Sequence, residues 1–381
     1  MDSSPCFLAQ EAEMSERVSL LIFVGGREGS EVERMVNQGR EAVALDTIEK
    51  AMAIPAIDRI VVATNSHRLA RRLRHMPVLI EFDVEGEEFH FGRRLCQLIE
   101  KHRIERPFYI GGGSGALLST AEMEGIVEVL LSATEILVTN NLYSTDFAAF
   151  VPGEALAAIA PPATDNDLGW LLREAGLKNY SPPRTAGTQL DIDTPADLMT
   201  LSYHPAVGMH ARRYLDSLAL DTSHIEKAMP LITNRDAEVL VAGRVAAPVW
   251  AYLETETACR VRMFSEERGM RASGRQERGE VRSLLGYYIE EVGVERFFAI
   301  LGELGDAAFL DTRVIFGHLG FWPPASDRFY SDLRRPEKIA HPFVRNFTAA
   351  AIQAPIPVVL GGHSLVSGGL YALIEAAWFG K

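Results

Sequence analysis

Short apolar runs, each closed by glycine or polar residues and followed by a helix-like stretch, recur from residue 18 to about residue 140. No other feature constrains the fold as much. The first run, Val18-Ser19-Leu20-Leu21-Ile22-Phe23-Val24, stops at Gly25-Gly26. A stretch so short and so uniformly apolar reads as a strand covered on both faces, the signature of a parallel sheet. Residues 57–65, 78–81, 107–110 and 136–140 repeat the pattern. Between them, residues 42–54, 66–74 and 92–102 read as helices, and Ser119-Thr120-Ala121-Glu122 has the spacing of a capping box that opens another. Strands alternating with helices predict an α/β fold on a doubly wound, mostly parallel sheet. In such sheets ligands lie beyond the carboxyl ends of the strands. The glycines and polar side chains of this region are concentrated there.

The alternation breaks over residues 203–235, around His204-Pro205 and a mixed polar helix. A chain of 381 residues is expected to hold two domains. The expected division is a polar tail over 1–17, a first domain over 18–202, a connecting segment over 203–235 and a second domain, α/β or α-rich, over 236–381. The second domain carries strand-like residues 239–245 and 356–360, an extended stretch over 308–316, and helices near 248–257, 279–292 and 295–304 before a terminal helix. A net charge of −13 speaks against a broad nucleic-acid or anionic-membrane face, although a nucleotide pocket needs only a few local donors. No apolar run reaches the length of a membrane span, and the first residues lack the apolar core of a signal peptide. Cys6, Cys96 and Cys259 are too few and scattered for a disulfide frame or a cysteine zinc site, which fits a reducing cytoplasm.

Four motifs carry chemistry in the first domain. Gly25-Gly26-Arg27 follows the first strand, where glycines let backbone amides approach a phosphate; the plain alternative is a strand-to-loop turn. Gly111-Gly112-Gly113-Ser114 follows the fourth strand and offers a second anion loop. Asn140 and Asn141 follow the next strand, with donors and acceptors suited to a base or sugar, and Asp146 is nearby; an Asx-rich turn bonded to its own backbone is the competing reading. Finally, Asp191-Ile192-Asp193-Thr194-Pro195 reads as a strand that runs into a helix. Thr194 caps the helix, Pro195 takes its first position, and Asp197 favours its dipole. Alternation along the strand puts Asp191 and Asp193 on one side, where two carboxylates suit Mg²⁺; the plain alternative is that Asp193 only caps and Asp191 is solvated. His90 and Arg93 are weaker phosphate-contact candidates.

These motifs, with Arg34-Met35 and the Thr64-Asn65 strand end, make residues 18–202 similar to the nucleotidyltransferase superfamily that includes molybdenum-cofactor guanylyltransferases and phospholactate guanylyltransferases. The resemblance implies a nucleotide-diphospho-sugar transferase-like fold that binds an NTP through Gly25, Gly26, Arg34, Asn65, Gly111, Gly112, Gly113 and Ser114, to which the chemistry of the residues themselves adds Arg27, Asn140 and Asn141. It also implies Mg²⁺ held by Asp191 and Asp193 as the catalytic carboxylates. Three departures stand out. The Gly-Gly and Arg-Met elements are spaced more widely than in the family, the phosphate-binding lysine has no clear counterpart (Arg40 is the nearest basic residue), and glycine or serine replaces the usual metal-holding aspartate at 111–115.

In the second domain, Arg260, Arg262, Arg268, Arg271, Arg275 and Arg278 interleave with Glu266-Glu267, either as a clamp for a phosphorylated or carboxylated substrate or as a solvated ion-pair network. Gly361-Gly362-His363-Ser364 is a candidate anion loop, and adjacency keeps His363 and Ser364 from forming a catalytic pair. The expected activity is transfer of an NMP from an NTP to a small phosphorylated or hydroxylated acceptor, with release of pyrophosphate. The alternative is a catalytically degenerate protein that binds a nucleotide or sugar nucleotide as a sensor or assembly partner. The partners expected are an NTP or sugar nucleotide and a small acceptor, with no nucleic acid, no membrane, and an oligomer left open.

Overall fold

A computed structural model describes residues 17–26, 29–84 and 86–379. Arg27, one of the expected phosphate contacts, lies outside the described residues. The chain divides into two compact units, one comprising Met1–Arg27 and Arg40–Thr188, the other Glu28–Gly39 and Gln189–Lys381.

The first unit is α/β. Its sheet has seven strands: β1 (Val18–Phe23), β2 (Ile57–Thr64), β3 (Leu79–Phe82), β4 (Pro107–Gly111), β5 (Ile136–Thr139), β6 (Phe147–Val151) and β7 (Lys178–Tyr180), in the order β3-β2-β1-β4-β6-β5-β7. Every pairing is parallel except those of β6, which is antiparallel to both β4 and β5. Because strand side chains alternate, Leu20, Ile22, Phe108 and Ile110 join the core on one face, while Leu21, Val61 and Tyr109 join the core on the other. This two-sided burial is why β1 and β4 read as unbroken apolar runs. Helix Thr120–Ser132 begins with the expected capping box, in which Ser119 and Glu122 exchange bonds of 3.2 and 2.8 Å.

Two elements depart from expectation for local reasons. The helix expected at 42–54 is Glu31–Met52, whose first turns are too polar to announce a buried face; Ser30 opens it by bonding Glu33 at 2.7 Å. β6 hides behind an Asn-rich turn and was not foreseen. The β5–β6 connection, residues 140–146, is tied across its ends by Asn140 and Asp146.

The second unit settles as α/β as well. Its four strands, β8 (Glu238–Gly243), β9 (Arg260–Ser265), β10 (Ala307–Asp311) and β11 (Val358–Gly361), are all parallel in the order β11-β10-β8-β9. Leu240, Phe297, Phe298, Leu310, Phe347 and Leu360 belong to its main core. The extended stretch expected over 308–316 ends at Asp311, whose carboxylate accepts from the Arg313 amide at 3.2 Å and caps helix Thr312–His318. The arginine-rich stretch begins as edge strand β9, where Arg260 and Arg262 pair with Glu238 at 3.3 and 3.2 Å. Residues 203–235 contain helices Met209–Ser217 and Ser223–Ile232, both within this unit. No helix among the described residues is long and apolar enough to cross a membrane.

Candidate functional site

In the first unit, the chain leaves β1 toward β2 on one side and pairs with β4 on the other, so the crevice expected of a doubly wound sheet opens at the carboxyl ends of β1 and β4. Gly25 and Gly26 are exposed there. Asn65, just past β2, holds Gly26 at both ends of its peptide unit: the Gly26 amide donates to Oδ1 at 3.2 Å, and Nδ2 donates to the Gly26 carbonyl at 3.0 Å. This side chain fixes the loop that a phosphate would meet. Asp83, which follows β3, lies near the Gly25 α-carbon, 3.7 Å from where a β-carbon would stand. Burial raises its carboxyl pKa, against the pull of Arg94, whose Nε lies 3.5 Å from Oδ1.

Beside the loop is an aromatic cluster. Phe23, Phe91 and Tyr109 pack edge to face at 4.9 to 5.6 Å between centroids. Phe89, 54% exposed, stands edge-on to Phe23 at 6.3 Å. Asp83 and Phe89 went unnoticed in the sequence, where one follows a weak strand and the other sits in an irregular connection. A search for carboxylates one residue past each strand would have found Asp83. His90, a candidate phosphate contact, instead caps helix Phe91–His102 by accepting from the Arg93 amide at 3.4 Å.

The triple-glycine loop is tied to the rest of the first unit by its backbone. The Gly111 amide donates to the Asp146 carbonyl, the Gly112 amide to the Phe23 carbonyl and the Ser114 amide to the Gly111 carbonyl, at 2.9 to 3.0 Å. Gly112 and Gly113 are buried. A β-carbon on Gly112 would lie 2.8 Å from Val24 Cγ2 and 3.0 Å from the Phe23 carbonyl, so glycine is required there by close strand packing. The asparagine pair is likewise engaged. Asn140 donates to the Asp146 carboxylate at 2.6 Å and accepts from the Asp146 and Phe147 amides, while Asn141 accepts from Tyr143 in an Asx turn. Asp165 accepts the Tyr109 hydroxyl at 2.8 Å. Asp83, Asp146 and Asp165 therefore each face a protein donor.

Arg34, Asp191 and Asp193 belong to the second unit. Arg34 and Met35 line a cavity of about 360 Å³ there, with Tyr214, Tyr330, Arg335 and Lys338. The strand expected at Asp191–Asp193 shrinks to a single bridge residue, Asp191, whose carbonyl accepts from Ser364 Oγ at 2.6 Å. Asp191 is half-buried and Asp193 exposed, and neither joins a cluster of three metal-ligand side chains among the described residues. The helix start, by contrast, has the expected chemistry. Asp197 Oδ2 accepts from the Asp193 amide at 3.0 Å, the Thr194 amide at 2.7 Å and Thr194 Oγ1 at 3.0 Å.

Asp197 is fully buried, and burial followed by repulsion from Asp193 pushes its pKa up to about 7 despite those bonds. An unfolded aspartate titrates near about 4. The folded state therefore holds a proton that the unfolded state has released between these values. Stability from this group is full below about pH 4 and is lost as pH rises through about 7. Asp197→Asn should flatten that decline, as read from urea unfolding at about pH 5 and about pH 8. His224 and His363, both pushed down to about 4 by burial, oppose it between about pH 4 and 6.5 equally in both proteins. An unchanged slope in the variant would contradict a protonated Asp197.

No protein-family model matches the chain, and no curated protein does. Solved structures similar to it include a cytidylyltransferase from Leptospira borgpetersenii, at 14% identity and a TM-score of 0.39 over 52% of this chain and 91% of that one. A nucleotidyl transferase from Methanothermobacter shares 13% identity at a TM-score of 0.38, over 53% of this chain and 99% of its own. A 4-diphosphocytidyl-2C-methyl-D-erythritol synthase from Anaerococcus prevotii shares 14% at 0.33, over 48% and 95% respectively.

Proposed function

We propose that the first unit binds a nucleoside triphosphate at the carboxyl edge of β1 and transfers its nucleotidyl group to a small phosphorylated or hydroxylated acceptor. An acceptor oxygen attacks the α-phosphorus, the new P–O bond replaces the α,β-anhydride bond, pyrophosphate leaves with that bond's electron pair, and the proton of a hydroxyl acceptor passes to solvent. The observation that carries this reading is the exposed Gly25-Gly26 turn, held open by Asn65 at the sheet's crevice and flanked by exposed Phe89. The turn brings backbone close to phosphate oxygens, and the Phe89 ring offers a face on which a base stacks. A second reading, nucleotide or sugar-nucleotide binding without turnover, is favoured by one observation: the nearby carboxylates are already bonded to protein donors. The assignment of Asp191 and Asp193 as metal ligands remains a proposal of its own.

Titration of the full chain with each NTP, followed by a pyrophosphate-release assay with sugar acid and sugar phosphate acceptors, tests both readings. Phe89→Ala is expected to weaken NTP binding about tenfold, the scale of one base–aromatic stack. Asn65→Ala should weaken it too, by freeing the loop. NTP binding without pyrophosphate release selects the second reading. Absence of NTP binding, or binding indifferent to both substitutions, overturns the site.

A further inference from the structure

We propose that the carboxyl edge of the four-stranded sheet in the second unit is a separate binding site for the phosphoryl group of a small molecule, contacted by Arg244, Arg268 and His363. The strand order β11-β10-β8-β9 places the switch point of this sheet between β8 and β10, and the residues leaving those strands are charged. Gly243, at φ 125°, ends β8 so close to β10 that a β-carbon on it would lie 2.3 Å from the Asp311 β-carbon. The next residue, Arg244, thereby forks onto Asp311, with Nε to Oδ2 at 2.5 Å and Nη2 to Oδ1 at 3.1 Å. Asp311 is in register with Gly361 of β11, so Gly362 and His363 emerge on the other flank of the same carboxylate. The α-carbon of Gly362 faces Thr194 and the Arg313 guanidinium.

His363 is what makes this edge a site and not only an ion-pair network. Its Nδ1 is buried and has no hydrogen-bond partner. Buried polar groups are rarely left so, and those that are call for a ligand, ion or water. Burial and the Arg244 charge keep the imidazole neutral, while Asp311, Arg268 and Asp193 also act on it. A neutral imidazole can donate one hydrogen bond without the cost of a buried charge. The charges around it favour an anion over a metal cation, because Arg244 already occupies both oxygens of Asp311. Arg268, exposed on the loop after β9, has no carboxylate partner among the described residues. Three donors of this kind, two of them guanidinium groups, suit the oxygens of a dianion better than a single carboxylate.

The test uses the full chain labelled with ¹⁵N-histidine and titrated with inorganic phosphate, in parallel with calorimetry. The His363 imidazole resonance, identified by its loss in His363→Asn, should shift saturably. Arg268→Ala should weaken phosphate binding about tenfold, the scale of one charge-assisted contact, without moving the thermal midpoint. Asn65→Ala, in the first unit, should leave the shift intact, which separates this site from the proposed nucleotide site. If His363→Asn fails to fold, the calorimetric comparison of Arg268→Ala with the parent decides. A His363 signal that phosphate does not move, or an affinity unchanged in Arg268→Ala, overturns the proposal. Stronger shifts with acetate than with phosphate would overturn the phosphoryl assignment.

Discussion

Arg313→Ala is expected to lower the unfolding free energy by about 3–5 kcal/mol, the usual result of stripping one partner from a buried ion pair. Arg313 is 4% exposed and Asp332 not at all. They form a two-bond fork, with Nη1 to Oδ1 at 2.6 Å and Nη2 to Oδ2 at 2.7 Å. Nη1 also donates to Thr312 Oγ1 at 3.0 Å and to the Gly361 carbonyl at 2.9 Å. Burial raises the Asp332 pKa against the pull of Arg313, while Asp332 holds the guanidinium charged against the same burial. Removing the guanidinium leaves a fully buried carboxylate with only the charge of Arg328 acting in its favour, and takes one donor from the Gly361 carbonyl at the end of β11. Asp332→Asn in the same background should recover much of the loss, because the orphaned charge is then gone. Chemical denaturation of the single and double variants measures this, and additive losses would show that the pair does not act as one unit.

Gly243→Ala is the second large effect, at about 2–5 kcal/mol, and it has two independent causes. A φ of 125° is open to glycine but strained for alanine. The added methyl would also press against the Asp311 β-carbon at 2.3 Å, and neither β8 nor β10 can move aside without disturbing the sheet. The substitution therefore reaches the Arg244–Asp311 fork, and the phosphate response of His363 should fall along with stability. Arg244→Ala makes the comparison sharper. It keeps the backbone, so it should reduce the phosphate response without strain at residue 243, its own cost to folding coming from the buried Asp311 carboxylate left without its fork. A Gly243→Ala protein as stable as its parent would show that β8 has room to shift.

Much of the fold was legible because burial on both faces writes itself into short runs. β1, β2 and β4 were readable for that reason, and so was the cap chemistry of Ser119–Glu122 and of Thr194, Pro195 and Asp197. Elements whose identity depends on a distant partner were not. β6 is antiparallel because of where it lands, between β4 and β5, and β9 is an edge strand whose arginines conceal its alternation. The site divides along the same line. Gly25, Gly26 and Asn65 follow directly from strand ends. Gly111 and Gly112 have a ligand-like composition, yet their amides bond Asp146 and Phe23, far away in sequence, while Asn140 bonds Asp146 only six residues on. The cap at Thr194 was legible for its local chemistry. That it packs with Gly361, Gly362 and Ser364 was not, because nothing near residue 194 refers to residues near 362.

The second unit has an order-of-synthesis problem. Residues 28–39 leave the ribosome early, but the segments that build the rest of their unit begin at residue 189, and the last strand ends at Gly361. During vectorial synthesis the early segment must wait through some 150 residues of other chain before its partners exist (189 minus 39). A fragment cut at residue 189 would contain the four-stranded sheet but lack Glu31, Val32, Arg34, Met35 and Gln38 from the cavity wall beside Tyr214 and Tyr330. Any attempt to express this half alone should carry the early segment in trans or as a circular permutation, with the stretch from Glu28 to Gly39 joined to the downstream terminus.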